Sequence, residues 1–121
     1  MSNTEIVNES ACPFCKIFAR EIRADEVTRT ADALVFRDLT PQAPTHLLAI
    51  PKCHVADLGE FVAVADSSEV GDLFAVASQA GRAAGGGGYR IVVNEGPDAG
   101  QSVFHLHLHI LAGRPLSWPP G

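Results

Sequence analysis

The segment His105-Leu106-His107-Leu108-His109 decides how this chain is interpreted. Side chains alternate across a β-strand, so an extended segment here would place the three histidines on one face and the leucines on the other. We predict a strand over residues 103–111 whose apolar side chains, Phe104 among them, pack on the core. Neighbouring histidines would have Cα atoms about 6.6 Å apart, so one metal ion could bind two of them at most.

This histidine pattern favours phosphoryl or nucleotidyl transfer. Neutral imidazole is abundant near pH 7 and attacks phosphorus without prior deprotonation. The loop at 94–102, directly before the histidines, can direct backbone N–H groups toward an anion. Surface histidines on a half-exposed strand are the alternative, but three of the five histidines in the chain alternate within these five residues.

The rest of the sequence indicates an α+β domain with mostly antiparallel strands. Residues 33–36 and 46–50 resemble buried strands joined by a short Pro-containing loop, and another strand is expected at 89–94. Asp66 and Glu69 form a capping pair before apolar residues at helical spacing, which predicts one long helix over 67–84. A flexible glycine turn at 85–88 should follow it.

The N-terminal part of the chain carries weaker signals. Residues 1–10 are polar and lack periodicity, so we expect a disordered segment there and a single domain over 11–121. A short helix is expected at 13–20, because Pro13 suits a first helical turn and Ile17 and Phe18 can face inward.

Composition limits the classes of partner. The 121 residues contain 9 Lys and Arg against 14 Asp and Glu, a net charge of −5, and the basic residues are scattered, so binding to nucleic acid is not expected. No stretch approaches the roughly 20 apolar residues that span a bilayer, and the N-terminus does not resemble a signal peptide. Three cysteines, an odd number, fit a reducing compartment, and we expect a cytoplasmic protein.

These motifs resemble those of the histidine-triad (HIT) family. Residues 105–111 match its pattern His-φ-His-φ-His-φ-φ, in which φ is apolar. Residues 38–46, 93–96 and 100–102 and the ending Trp118-Pro119-Pro120-Gly121 are similar to the adenosine phosphoramidase branch of histidine-triad nucleotide-binding proteins. The resemblance implies a HIT-like fold, an antiparallel five-stranded sheet with one long helix and a short N-terminal helix, and a homodimer.

The resemblance also implies an activity, the hydrolysis of purine nucleoside phosphoramidates with release of AMP. His107 would be the nucleophile, His109 would stabilise the phosphate, Ser102 would help to protonate the leaving atom, and His46 would support their hydrogen bonds. The residues implied to contact the nucleotide are Asp38, Leu39, Asn94, Gly100, Gln101, Ser102, His107 and His109. Without the resemblance, turn and loop chemistry explains Asp38 and Ser102 equally well.

The Cys12-x-x-Cys15 motif suggests a metal site. A structural zinc usually needs four ligands, and Cys53 alone does not make a second pair, so two histidines must complete the set. The resemblance implies His54 and His105, which gives a structural zinc bound by Cys12, Cys15, His54 and His105. Two reduced cysteines in a helical turn are the alternative.

Three other functions remain open at this point. Hydrolysis of dinucleoside polyphosphates would use the same nucleophile with a phosphate leaving group. A nucleotide-binding adaptor with incidental turnover would not need a nucleophile. A zinc hydrolase with His105 and His107 as ligands would lose its activity to chelators.

Overall fold

The computed structural model describes residues 11–121, so the expected disorder of residues 1–10 lies outside the described residues. The elements, in chain order, are α1 (Pro13–Phe18), β1 (Glu26–Arg29), β2 (Ala33–Arg37), β3 (Thr45–Pro51), α2 (Leu58–Val64), α3 (Ser67–Ala83), β4 (Tyr89–Val92), a 3-10 turn (Pro97–Ala99) and β5 (Leu108–Ala112). None of the helices within 11–121 is both long and apolar enough to cross a membrane.

The five strands form one antiparallel sheet in the order β1-β2-β3-β5-β4. The predicted α+β class and the five-stranded antiparallel sheet are therefore confirmed. Strands β2 and β3, predicted from their apolar runs, lie in the centre and are almost wholly buried. Residues on a central strand are covered from both sides, which explains why these runs are continuous rather than alternating.

Helix α3 covers one face of the sheet. It begins with a capping box in which the Asp66 carboxylate accepts from the Glu69 N–H and the Glu69 carboxylate accepts from the Asp66 N–H. Its apolar stripe, including Leu73 and Ala77, packs against Val35, Ala49 and Ile110 of the sheet. The predicted helix over 67–84 is confirmed to within one residue.

The other face of the sheet carries the N-terminal segment. Phe14 of α1 is buried and packs with Phe36 and Leu48 in a second apolar cluster. Helix α1 ends at Phe18, two residues before the predicted end, because Arg20 takes a left-handed conformation with φ of 64°. Ile17 and Phe18 are partly buried against this cluster, as expected.

The predicted strand over residues 103–111 is wrong at its N-terminal end. Strand β5 starts at Leu108, and Phe104 is 53% exposed instead of packing in the core. The residues before Leu108 are not paired with β3, because the Leu106 N–H donates to the carbonyl of Val55 at 2.8 Å. Pro51, at the end of β3, instead accepts a hydrogen bond from the His105 ring.

Smaller differences concern short elements. Strand β4 ends at Val92, two residues earlier than predicted. Strand β1, helix α2 and the 3-10 turn were not identified from the residues. Gly85, Gly86 and Gly88 all have positive φ, so the glycine turn predicted between α3 and β4 is present.

Candidate active site and metal centre

A cavity of about 320 Å³ lies between the sheet and the N-terminal segment. The strand register puts three of its lining residues in one row across the sheet, because His109 pairs with Leu48 and Leu48 pairs with Phe36. Phe14 and Ile17 of α1 line the cavity from above. Imidazole rings therefore line one end of the cavity, and apolar side chains from the sheet and from α1 line its middle.

A hydrogen bond of His107 defines the tautomer of its neutral ring. Its Nδ1 lies 2.9 Å from the carbonyl oxygen of His105. A carbonyl only accepts, so Nδ1 carries the proton and donates it, and Nε2 keeps a free lone pair. The ring lies on the wall of the cavity. A neutral imidazole held in this tautomer presents Nε2 as a nucleophilic nitrogen.

The His109 ring is in the opposite tautomer, with its proton on Nε2. The backbone N–H of Gln42 donates to His46 Nδ1 at 2.9 Å, so the proton of the neutral His46 ring is on Nε2. His46 Nε2 lies 2.9 Å from His109 Nδ1, which must accept, and this leaves the proton of His109 on Nε2. The relay from Gln42 through His46 therefore makes His109 a hydrogen-bond donor.

Burial keeps both rings of this relay neutral. Burial lowers the pKa of His46, against a smaller opposite effect of Asp38. The pKa of His109 is lowered to about 4, mainly by burial and further by its neighbours His107 and His46. The rings of His107 and His109 lie 5.0 Å apart between centroids. The acceptor nitrogen of His107 and the donor nitrogen of His109 thus belong to neighbouring rings on the cavity wall.

Asp38 and Leu39 form the rim beside the relay. One oxygen of Asp38 lies 3.3 Å from His46 Nε2, and the other accepts from the Thr40 N–H at 2.9 Å. Leu39 is 94% exposed at the mouth of the cavity. A carboxylate with remaining acceptor capacity beside an apolar side chain suits a ligand that presents hydroxyl groups next to a flat apolar surface.

The loop before the histidines approaches the cavity through Ser102. Gln101 is buried, and its side chain accepts from the Gly96 N–H and donates to the Ala56 and Val103 carbonyls. It therefore holds the loop in shape. Among the residues described, Asn94, Gly100 and Gln101 are not part of the cavity wall, so their implied contacts with a nucleotide stay a prediction.

Cys12, Cys15, His54 and His105 come together from three separate parts of the chain, and their ligand atoms all lie within 4.8 Å of one another. The distances from sulfur to Nδ1 are 3.3 Å for Cys12 and His105, 3.2 Å for Cys15 and His54, and 3.4 Å for Cys15 and His105.

The donor set of this Cys12–Cys15–His54–His105 cluster fits a metal ion. Two thiolates and two imidazoles are a common tetrahedral zinc set, and bonds of about 2.3 Å to sulfur and 2.0–2.1 Å to nitrogen give sulfur–nitrogen separations of about 3.6 Å. His105 is fully buried and donates from Nε2 to the Pro51 carbonyl at 3.0 Å. That hydrogen bond leaves Nδ1 free to ligate, and burial lowers the pKa of His105 to about 4.

Phe14 joins the metal cluster to the cavity. Its ring contacts the His105 ring edge-on at 5.9 Å and the His107 ring at 5.2 Å between centroids. Phe14, Phe36, Leu48 and Arg23 line the cavity, yet the sequence interpretation did not include them in the site. Phe14 lies between Cys12 and Cys15 in the sequence. If those cysteines share a metal site with His105, Phe14 must lie close to His105 and to the neighbouring His107, and this signal was present in the sequence.

The fold and the site define a small α+β protein whose candidate chemistry depends on paired, oppositely polarised histidines. A family model described as the HIT domain matches residues 19–116, and the chain belongs to the HIT family. The resemblance inferred from the sequence is thereby confirmed at the level of the family.

Three solved structures are similar to this chain. A HIT family hydrolase from Legionella pneumophila Philadelphia 1 is 46% identical, with a TM-score of 0.85 over 91% of this chain and 99% of that chain. A Zn-bound histidine triad family protein from Mycobacterium smegmatis is 32% identical, with a TM-score of 0.77 over 88% and 77%. A histidine triad nucleotide-binding protein from Candida albicans is 30% identical, with a TM-score of 0.74 over 89% and 82%.

Proposed function

We propose that this protein hydrolyses purine nucleoside phosphoramidates and releases AMP from AMP-amine conjugates through a covalent nucleotidyl-histidine. The observation that carries the proposal is the opposite polarity of two neighbouring rings, an acceptor Nε2 on His107 and a donor Nε2 on His109. The similarity to a HIT family hydrolase and to a histidine triad nucleotide-binding protein supports both parts of it, hydrolysis and nucleotide binding.

In the first step, Nε2 of His107 attacks the α-phosphorus. The new N–P bond forms as the bond from phosphorus to the amine nitrogen breaks, and the leaving nitrogen takes a proton from solvent through the Ser102 hydroxyl. The Nε2–H of His109 donates to a phosphate oxygen on which negative charge accumulates. Water then attacks the phosphorus, the N–P bond to His107 breaks, and AMP leaves.

The nucleoside would lie along the rest of the cavity. Asp38 would accept from the ribose hydroxyls, and Leu39, Phe36 and Leu48 would contact the base and sugar. The amides of Gly100 to Ser102, together with Asn94, would bind the phosphate. Gln101 supports this part of the proposal because its buried side chain fixes the loop.

The alternative substrates and roles differ in what they require. A dinucleoside polyphosphate would use the same nucleophile, but its phosphate leaving group needs no proton from Ser102. A nucleotide-binding adaptor needs neither the free lone pair of His107 nor the relay to His109. A zinc hydrolase with His105 and His107 as ligands is disfavoured because His105 Nδ1 points to the two cysteines.

We also propose that the Cys12–Cys15–His54–His105 cluster holds a structural zinc. The zinc-bound relative supports this assignment, as does the fit of the donor set. When bound, the ion would supply no chemistry to the reaction and would fasten α1 to the histidine segment. A cytoplasmic homodimer completes the proposal. The outer edge of β4, which ends the sheet, is a suitable place for a second copy to pair.

The test is rapid quenching of the protein with an AMP-amine conjugate, followed by intact-mass and peptide mapping. We expect a transient adduct of one nucleotide on the peptide that contains residues 105–109, assigned to His107, and steady release of AMP. His107→Ala should abolish both. Wild-type release of AMP by His107→Ala would refute the proposal, and a comparison of rates on a dinucleoside polyphosphate would decide between the two substrate classes.

A further inference from the structure

The cavity continues beyond the histidines to the edge of the sheet. Strand register extends the row from His109 through Leu48 and Phe36 to Glu26 of β1. Adjacent strands are about 4.8 Å apart, so three steps cover about 14 Å. A nucleotide whose phosphate lies at His107 and His109 would therefore have its base over Phe36, with the far edge of the base at the segment that precedes β1.

That segment supplies Ile22, Arg23, Ala24 and Asp25 to the cavity wall. It is fixed to β2, because the Arg37 N–H donates to the Asp25 carbonyl at 3.0 Å and Arg37 Nε lies 3.2 Å from the Asp25 carboxylate. The charge of Asp25 is thus balanced by Arg37. Over the described part of the chain, the Arg23 side chain has no ion pair and no hydrogen bond.

We infer that Arg23 determines which purine this protein prefers: AMP conjugates are accepted, but the corresponding guanine and hypoxanthine nucleotides bind more tightly. The inference rests on the proposed function in one respect, that a nucleotide occupies the cavity. A guanidinium has five N–H donors and no acceptor. The O6 and N7 atoms of guanine are two adjacent acceptors, whereas adenine has a donor amino group beside N7. Arg23 can therefore donate two hydrogen bonds to the O6 and N7 atoms of guanine but only one to adenine, at N7.

The neighbouring residues are consistent with recognition of one base edge. Ile22 and Ile17 also line the cavity and would provide apolar contact for the base. Asp25 could instead accept from the N2 amino group, which guanine has and hypoxanthine lacks. Since its carboxylate is paired with Arg37, recognition is assigned to Arg23, and hypoxanthine should be bound as well as guanine.

The experiment measures the dissociation constants of GMP, IMP and AMP by calorimetry. We expect wild-type protein to bind GMP and IMP about tenfold more tightly than AMP. Arg23→Ala should bring the three constants together, mainly by weakening GMP and IMP. Arg82→Ala removes another exposed arginine, on α3 and outside the cavity, with the same change in net charge, and should leave the preference unchanged.

The outcomes separate this inference from the proposed function. Equal weakening of all three nucleotides in Arg23→Ala, or equal or tighter wild-type binding of AMP, overturns the role of Arg23 while nucleotide binding stands. A preference for GMP over IMP that survives Arg23→Ala assigns recognition to Asp25 and also overturns it. Binding of none of the three nucleotides refutes the placement of the nucleotide, and with it the proposed function.

Discussion

Replacing His46 with leucine tests the relay that makes His109 a donor. His46 is 5% exposed and connects the Gln42 N–H to His109 Nδ1 through two contacts of 2.9 Å. Without it, His109 can move its proton to Nδ1 and present a lone pair to the phosphate. The loss of one donor to a developing oxyanion lowers kcat by about 10²–10³. The loss of the hydrogen bond from the Gln42 N–H lowers stability by about 0.5–1.5 kcal/mol, because Gln42 is exposed and water can replace its partner.

His46→Gln is the matched control. The side chain of glutamine has an acceptor and a donor at about the spacing of the two imidazole nitrogens, so it can accept from Gln42 and donate to His109. We expect it to recover most of the activity that His46→Leu loses. The measurements are single-turnover rates on an AMP-amine conjugate and the ¹⁵N chemical shifts of the His109 ring.

Two results would show that the relay is wrongly assigned. One is a wild-type rate in a folded His46→Leu protein. The other is a ¹⁵N spectrum of the wild-type protein in which the proton of His109 lies on Nδ1. A large loss of activity in both His46 variants, without a change in the His109 tautomer, would also contradict it, because packing rather than polarity would then be the contribution of His46.

Two further predictions concern stability. The pKa of His109 is lowered to about 4, so between pH 6.5 and 4 the unfolded chain binds a proton that the native protein does not. The free energy of unfolding should therefore decrease as the pH is lowered through this window, and because the ring is only partly buried, solvent screening limits the loss to about 1–2 kcal/mol. Denaturant titration of His109→Gln should show a shallower fall, and an unchanged slope would contradict the assignment. Cys15→Ser should lower zinc content below one ion per chain, lower Tm and raise KM for the nucleotide, measured by elemental analysis, calorimetry and kinetics. Loss of kcat on chelation with an unchanged Tm would instead indicate a catalytic metal.

Elements with a periodic and buried apolar pattern could be predicted from the sequence. Helix α3 combines a capping box with a stripe that packs on the sheet, and β2 and β3 are central strands. In each, local preference and tertiary burial favour the same structure. Strand β1 has no fully buried residue, and α2 buries only Phe61. Neither element therefore shows a periodic pattern of apolar residues in the sequence. Their structures depend on the neighbouring elements against which they lie.

The histidine segment shows why the site was only partly predictable. Alternation places His107 and His109 near one another, at 5.0 Å between ring centroids. The ring of His105 is instead 5.0 Å from that of His54, because the backbone at Leu106 bonds to Val55 and leaves the sheet. A long-range hydrogen bond of this kind has no signature in the local sequence. Ring tautomers likewise depend on partners such as Gln42 and Pro51, which only the folded chain defines.

The position of α1 connects the two sites in physical terms. Cys12 and Cys15 lie at the start of this helix, and its end is held by the partly buried packing of Ile17 and Phe18 and by Arg29, which donates to the Phe18 carbonyl at 3.0 Å. The same helix turn supplies Phe14, whose ring contacts both His105 and His107. A six-residue helix is not stable alone, since isolated helices shorter than about 12 residues are marginal in water. An interaction that holds Cys12 and Cys15 against the histidine segment therefore also holds Phe14, on the cavity wall, against His107. A metal ion bound to these cysteines would thus affect nucleotide binding without taking part in the reaction.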